Sequence, residues 1–363
     1  MSFMDRSIQK GSVIIIVLWT AVLLTVLVTA MASKVRLSAK AAVHNIDASR
    51  EWVEIMTAVN LAEMELLLER MSRPINEQAE ESEEGELLIS AYRFDGEALT
   101  LHYELPEDIV VRIYDHTGKI NLNRIPRRNM QLLIEKQLGG EDADPEEVQD
   151  LLAAWTDWTD LNDLQGLNGA EKDYYQELDQ GYMPRNNPEL DTVEEILHIR
   201  GFAELFEGVN LDAAFTIYGN NRRVNLNVAT REAMQLLPGL DDELIETVIA
   251  YREREDINNQ AEIAEIVPFE NLQELNSWVG YNTSNVYSIF AYSKRKHADS
   301  ALTGQVESNE GNSDIEEDNV RQAYMEVVEV NSYNTLPRVY KIDPYGMLPD
   351  TARARLEEYS IEL

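Results

Sequence analysis

The chain has no cysteine among its 363 residues, which excludes disulfides, thiolate metal sites and a cysteine nucleophile. Histidine is scarce too. His44, His102, His116, His198 and His297 are scattered without metal-ligand spacing. No His-Glu-x-x-His, Gly-x-Ser-x-Gly or P-loop motif is present, so catalysis has no foothold and a non-enzymatic role is expected. Base is in short supply: 31 Lys and Arg stand against 66 Asp and Glu, a formal charge of −35. Such a surface stays soluble and repels nucleic acid and anionic membranes. It also suits divalent cations, although surplus carboxylates commonly form no more than a solvated face.

Charge is also missing from Ser12 to Ser33, an apolar run that begins directly after Lys10-Gly11. Twenty helical residues at about 1.5 Å each reach about 30 Å, the hydrocarbon thickness of a bilayer. A short polar leader with basic residues, ending in glycine before a spanning-length run, resembles a class III prepilin leader cut after Gly11. Ser12 then becomes the first mature residue and Ile16 the fifth, where major pilins and most pseudopilins carry glutamate. Two other readings fit the same segment: a plain membrane anchor, or a signal peptide cut after Ala30-Met31-Ala32. Neither Gly nor Pro occurs from Ala39 to Met71. Trp52, Ile55, Met56, Val59, Ala62, Leu66 and Leu67 recur there at helical spacing. The expected divisions are a leader (1–11), a transmembrane segment (12–33) and a stalk helix (34–74) ending at Pro74. Arg6 and Lys10 on one side and Lys34, Arg36 and Lys40 on the other leave the charge rule ambiguous. The leader resemblance places the N-terminus in the cytoplasm.

An acidic, solvated stretch follows at 76–86. Leu87 to Phe94, Asp95-Gly96 and Ala98 to Glu104 predict a hairpin, with Asp-Gly as its tight turn. Ile109 to Tyr114 predicts a third strand, and Asp115-His-Thr-Gly118 turns the chain into a helical region lasting to Gly280. Strand patterns return at Val286–Tyr292, Gln322–Val330 and Arg338–Ile342, and the polar stretch 297–319 reads as a disordered acidic loop. The fold class is α+β. One antiparallel sheet (87–118 and 284–363) is split by an inserted α-domain (119–280).

That insert contains a repeat, spanning 119–201 and 223–280. Asn121, Leu122, Asn123, Arg127, Met130, Gln131, Leu132 and Leu133 are identical to the residues 104 positions on. Two small helical subdomains are expected, with the asparagines capping the helix that follows each copy. Leu237-Pro-Gly-Leu240 resembles the turn of a helix-hairpin-helix unit, which binds DNA phosphates through backbone amides. Here Asp241, Asp242 and Glu243 stand where a phosphate would sit, so a packing role is favoured.

Between the helices of the first copy runs an acidic loop with Asp157, Asp160, Asp163, Glu171 and Asp173 around Gly166 and Gly169. Hard oxygen donors in a glycine-containing loop suit calcium, which takes six to eight oxygens, though the spacing is not that of an EF-hand. A solvated acidic loop is the alternative. Trp155 and Trp158 read as core.

The order Asp-Trp-x-Asp, Gly-Ala-Glu, Tyr-Tyr, Pro-x-x-Asn, Glu-Glu-Ile-Leu-x-x-Arg-Gly and Val-Asn-Leu-Asn-x-Ala resembles the K-type minor pseudopilin (GspK) family of type II secretion systems. The resemblance covers nearly the whole chain. It implies a periplasmic pilin-like sheet, an inserted α-domain with two helix-hairpin-helix (SAM-like) subdomains, and structural Ca2+ held by carboxylates. By position it assigns Asp157, Asp160 and Glu171 to the metal; Asp163 and Asp173 join them on chemistry. Lys172 departs from the family, standing where many relatives have an acid. The implied role is a non-enzymatic tip subunit of the pseudopilus that starts or caps assembly and supports protein export. It would be processed and N-methylated by the prepilin peptidase at Gly11 and Ser12, and anchored once in the bacterial inner membrane with its head in the periplasm. Implied partners are the I- and J-type minor pseudopilins, the pseudopilus core and the inner-membrane secretion platform, with no nucleic acid. A membrane-anchored DNA-uptake protein using the helix-hairpin-helix-like repeat is the alternative.

Overall fold

The computed structural model describes residues 10–70, 93–99, 101–106, 108–178, 181–293 and 322–349. The leader up to residue 9, the acidic stretch 76–86, the first arm of the expected hairpin up to 92, the loop 297–319 and the last residues from 350 lie outside them. The chain forms two compact units, Met1–Met56 and Thr57–Leu363.

Helix α1 spans Lys10–Glu69. Its first part is long and apolar enough to cross a membrane. The threonines in that part carry their own solution for burial in lipid. The hydroxyls of Thr20, Thr25 and Thr29 donate to the carbonyls of Val17, Ala21 and Thr25 at 2.8–2.9 Å, leaving no hydroxyl proton unsatisfied. Of the apolar stripe expected for the stalk, Ile55, Val59, Ala62 and Leu66 are buried, Met56 and Leu67 are half-buried, and Trp52 is exposed. The helix ends at Glu69, five residues before Pro74, and Arg70 donates to the hydroxyl of Tyr287 at 2.7 Å and to the carbonyl of Ser284.

Among the described residues, five antiparallel strands form the sheet in the order β1 (Asp95–Ala98), β2 (Ile109–Asp115), β5 (Val286–Ser293), β6 (Gln322–Glu329), β7 (Arg338–Met347). All eight residues of β5 are buried, as befits a central strand covered on both faces. The Asp95-Gly96 turn is not observed. Asp95 pairs with Tyr114 inside β1, and the register shifts between Asp95 and Ala98. The positive φ inferred for Gly96 is real (+98°), but it serves a bulge: a Cβ there would lie 2.0 Å from the ring of Tyr114. The close approach of that ring decides between bulge and turn, and it comes from the next strand, 18 residues further along the chain.

Strands β2 and β5 are neighbours in full register, Ile109 opposite Ser293 through Asp115 opposite Tyr287, although the helical region lies between them in sequence. That region holds α2 (Arg127–Gln137), α3 (Pro145–Thr159), α4 (Lys172–Glu177), a 3-10 turn (Val193–His198), α5 (Phe202–Leu205), α6 (Leu211–Ala214), α7 (Arg231–Leu236), α8 (Asp242–Arg252), α9 (Gln260–Ile266) and α10 (Phe269–Leu275). It is not purely helical, because β3 (Ile120–Asn121) and β4 (Phe215–Thr216) pair in parallel.

Nor do the two copies of the repeat have separate cores. One cluster of buried residues runs from Ile120, Met130 and Leu133 in the first to Val224, Met234 and Leu237 in the second. Helices this short cannot bury an apolar face alone, so each copy completes the other. Polar contacts cross the same seam. The ammonium of Lys136 donates to the carbonyls of Leu237 (2.7 Å) and Leu240 (2.6 Å), and Asn225 N–H donates to Thr117 O at 2.8 Å.

The asparagines do not cap helices as expected. Pro126 and Thr230 occupy the cap positions of α2 and α7. Asn123 instead accepts from Leu190 N–H (2.7 Å) and donates to Leu190 O (3.1 Å). Asn227 does the same with Ile257, at 2.8 and 2.9 Å. Each asparagine imitates a strand neighbour and fixes the chain three residues before the third helix of its own copy.

A cavity of about 240 Å³ lies between the sheet and the helical region, lined by His116, Lys119, Asp212, Tyr218, Ser288 and Lys341 among others. Its polar groups answer one another. Both ring nitrogens of His116 are bonded, to Thr216 and Ser288 at 2.7 and 2.8 Å, and burial pushes its pKa well down. Burial likewise lowers Lys119 to about 8; its ammonium donates to Asp212 O at 2.7 Å. Lys341 pairs with the Asp212 carboxylate at 3.0 Å and with Glu194 at 3.4 Å.

Where α1 meets the sheet, Glu63 is half-buried, and burial together with the charge of Glu326 raises its pKa to about 7. A carboxyl whose folded pKa exceeds its unfolded value favours the fold while protonated. That contribution is complete below about pH 4.5 and disappears as the pH rises through about 7. Glu63→Gln should therefore raise stability at pH 8 by on the order of 1 kcal/mol, after allowance for partial exposure, and change little at pH 4.5. Thermal unfolding of both proteins across that range reads the difference.

Candidate metal centre

Asp144 caps α3 by accepting from Glu146 N–H at 2.9 Å, Pro145 follows as its first residue, and an apolar face of Val148, Leu151, Leu152 and Trp155 seats the helix in the core. This seating carries Asp157, near the end of α3, into the protein. The helix stops at Thr159 and Asp160 turns extended, with φ −92° and ψ 177°. Eleven residues after Asp160, Glu171 caps the short α4, accepting from Lys172 N–H at 3.2 Å. One carboxylate thus ends a helix region, one leaves it and one begins the next, and the loop returns all three to one place.

Oxygens of Asp157, Asp160 and Glu171 lie within 4.8 Å of one another. Asp157 and Glu171 are buried and Asp160 is half-buried. The loop closes directly over Asp157, whose two oxygens each accept from Gly166 N–H at 3.1 Å. A Cβ on Gly169 would lie 1.8 Å from Asp157 Oδ2, so only glycine permits that approach. Asn168 next to it takes a positive φ of 58°.

The arrangement suits a cation. Two unit charges under 5 Å apart repel by several kcal/mol at an effective dielectric near 20. Burial pushes Asp157 up, with the charge of Asp160 adding to it against the Gly166 N–H. Burial pushes Glu171 up as well, and the charges of Asp157, Asp160 and Asp163 add to it. The Oε1 atom of Glu171 is buried with no hydrogen-bond partner. Such an atom costs on the order of 1–3 kcal/mol unless something occupies its lone pairs. Oxygens up to 4.8 Å apart can share one ion at bonds of about 2.4 Å, the calcium range. Three carboxylates are hard oxygen donors of the right kind.

The five residues picked out in the sequence thus divide. Asp157, Asp160 and Glu171 come together; Asp163 and Asp173 do not join them. Asp163 is largely exposed and ion-paired with the ammonium of Lys172. Asp173 is exposed in the first turn of α4. Lys172 therefore neutralises one acid of the loop, and its contact with Asp163, nine positions back, was not readable from spacing.

Arg200, part of the Arg-Gly pair in the resemblance, had no role assigned to it. Its guanidinium donates to the carbonyls of Gly169 and Asp150 at 3.1 Å and to that of Asn168, and it lies over the ring of Tyr174, 5.4 Å from the centroid. It ties the returning end of the loop to α3. Gly201 beside it has φ +79°, and a Cβ would meet Leu151 at 2.4 Å. Trp155 and Trp158 are core residues; Trp158 packs edge-on to Tyr175 at 5.2 Å and donates to Glu195 at 3.1 Å.

The repeat shows where this loop came from in the architecture. In the second copy α8 ends at Arg252 and the asparagine-pinned residue Ile257 follows within five positions; in the first, α3 ends at Thr159 and Leu190 follows after 31. The carboxylate cluster rests on an insertion present in one copy only.

Gly169→Ala is expected to lower stability by about 1–3 kcal/mol, since the methyl must displace Asp157 or the loop. Gly181→Ala provides the contrast: like Gly169 it is not at positive φ, but a Cβ there meets nothing within 4 Å. Urea unfolding of the two variants measures the difference.

Comparison with known proteins bears on the same region. Residues 118–206 match the family model described as type II secretion system (T2SS), protein K. Comparison with curated proteins returns no match. Among solved structures, the chain is similar to one from the crystal structure of the GspK–GspI–GspJ complex of the enterotoxigenic Escherichia coli type 2 secretion system. The identity is 13%, the TM-score 0.43, and the alignment covers 68% of this chain and 82% of that one. The family match takes in the first repeat together with its acidic loop and the Arg200-Gly201 pair, about a quarter of the chain.

Proposed function

We propose that the chain is a K-type minor pseudopilin, a non-enzymatic subunit at the tip of a type II secretion pseudopilus that starts or caps assembly and so supports protein export. The observation carrying this is the combination of the protein K region with an apolar α1 that has Ile16 at the fifth position after Gly11. A glutamate at that position in a bilayer is costly unless it finds a positive partner, as an N-terminal amine of a neighbouring subunit provides. A subunit with Ile16 brings no such requirement, which suits one with no subunit ahead of it. Its partners are then the I- and J-type minor pseudopilins, in keeping with the complex to which it is similar, and behind them the pseudopilus core and inner-membrane platform. The chain crosses the inner membrane once with its head in the periplasm.

Asp157, Asp160 and Glu171 would hold a structural Ca2+. The ion supplies positive charge where burial has left carboxylates without it, and it fastens the inserted loop to the end of α3. Because the ligands must be ionised, calcium replaces protons, and its affinity falls as the pH drops through the carboxylate range.

The DNA-binding alternative is opposed by the helix-hairpin-helix-like turn itself. A Cβ on Gly239 would lie 2.4 Å from Asn271 O, so the turn packs against α10. The carboxylate of Asp241 already accepts from Leu244 N–H at 2.8 Å, where a phosphate would bind.

Two measurements test these readings separately. Mass spectrometry of the chain produced beside a prepilin peptidase should give a mature, N-methylated Ser12; a terminus at Ser33 overturns the pseudopilin assignment. Calcium at about a hundredfold over its dissociation constant should stabilise the protein by about 2.7 kcal/mol and do so more at pH 7 than at pH 5. Asp157→Asn should abolish that gain, and an unfolding temperature indifferent to calcium and chelator overturns the metal site.

A further inference from the structure

The insertion that brings the carboxylates together also carries three leucines that the fold does not use. Leu161, Leu164 and Leu167 are 71%, 79% and 91% exposed. Single exposed apolar side chains are ordinary, but three within seven residues of a polar loop make a patch. An exposed leucine contributes nothing to folding, and the second copy of the repeat, where Glu253-Arg-Glu-Asp256 makes the same connection, has no leucine there.

The backbone beneath them is fixed. Asn162 N–H donates to Asp160 at 2.9 Å, Leu164 N–H to Asn162 at 2.8 Å, and Gly166 N–H to Asp157 at 3.1 Å. Asn186 reaches the carbonyl of Leu161 at 3.4 Å, and Gln165 that of Gly169 at 2.9 Å. Three apolar tips on a backbone already ordered lose little entropy on docking.

Charge selects what they dock into. From Asp157 to Leu178 the chain has six carboxylates and one lysine, a formal −5. The nearby cations are engaged: Lys172 with Asp163, and Arg185 with Asp191 and Glu195. One bound calcium leaves the balance at −3, so the sign holds with or without the metal. An anionic lipid surface is repelled, and so is a second copy of a chain carrying −35. We infer that Leu161, Leu164 and Leu167 form a docking knob for another protein, one whose surface offers an apolar recess edged by lysine or arginine. Leucines enter the recess while Asp173 and Glu177 meet its basic rim.

The absence of native cysteine allows a direct test. The full chain with Leu164→Cys, labelled there with bimane and held in phosphatidylcholine nanodiscs, is titrated with a short amphipathic leucine–lysine peptide as the probe. A saturable blue shift is expected, weaker at high salt and weaker by on the order of tenfold when Leu161→Asn and Leu167→Asn are added. These substitutions should leave the unfolding temperature and calcium response unchanged. No shift, or a shift indifferent to the two asparagines, overturns the proposal. So does a blue label before any peptide is added: if it depends on protein concentration the occupant is a second copy, and if not, the nanodisc lipid. A fall in unfolding temperature on replacing the leucines also overturns it, by showing that they belong to the fold. None of these results bears on the mature terminus or on the carboxylate cluster, so this idea and the pseudopilin reading can fail independently.

Discussion

The antiparallel pairing of β2 with β5 is the contact on which the rest of the globular unit depends. Seven residue pairs join strands separated by the whole helical region. Closing so long a loop costs little more than closing a short one, because the entropic penalty grows only with the logarithm of length. What the pairing requires is that the inserted chain leave and re-enter the sheet at one place. Asp115 meets that requirement: its carboxylate accepts from Thr117 N–H at 2.7 Å as the chain leaves β2 and from Ser284 N–H at 3.1 Å as it returns to β5. His116 and Ser288 repeat the tie one residue deeper.

Held at both ends, the helical region solves its own packing problem by symmetry. Neither copy of the repeat is large enough to enclose a core, and one shared core results. The asparagine contacts at Leu190 and Ile257 keep the same geometry in both copies although asparagine and partner are 67 positions apart in the first and 30 in the second. The stable frame lets one copy accept an insertion that the other lacks. The carboxylate cluster is thereby confined to a loop whose ends are anchored by the internal repeat, with Arg200 fastening its returning limb.

Two groups of crowded acids meet different physical solutions. Glu63 and Glu326 lie between α1 and the sheet, where raised pKa values let protons relieve the repulsion. Asp157, Asp160 and Glu171 are arranged closely enough to share one ion, and an oxygen of Glu171 has no protein partner. In the first setting tyrosine supplies a hydrogen bond, from Tyr324 to Glu326 at 3.1 Å. In the second a glycine loop supplies backbone N–H groups and leaves space.

Much of this was legible in the residues. Short runs rich in β-branched and aromatic residues marked β2, β5 and β6, and helical spacing marked the stalk, because both patterns answer to local backbone geometry; identity at a constant offset marked the repeat. Acidic residues around Gly166 and Gly169 marked the loop, and three of the five chosen carboxylates meet there. Tertiary structure decided what local patterns cannot express. The ring of Tyr114 made Gly96 a bulge and not a turn. Distant carbonyls at Leu190 and Ile257 turned the asparagines from caps into strand mimics. Lys172 drew Asp163 out of the cluster. In each case the deciding partner lies elsewhere in the sequence, and only the folded chain brings it within bonding distance.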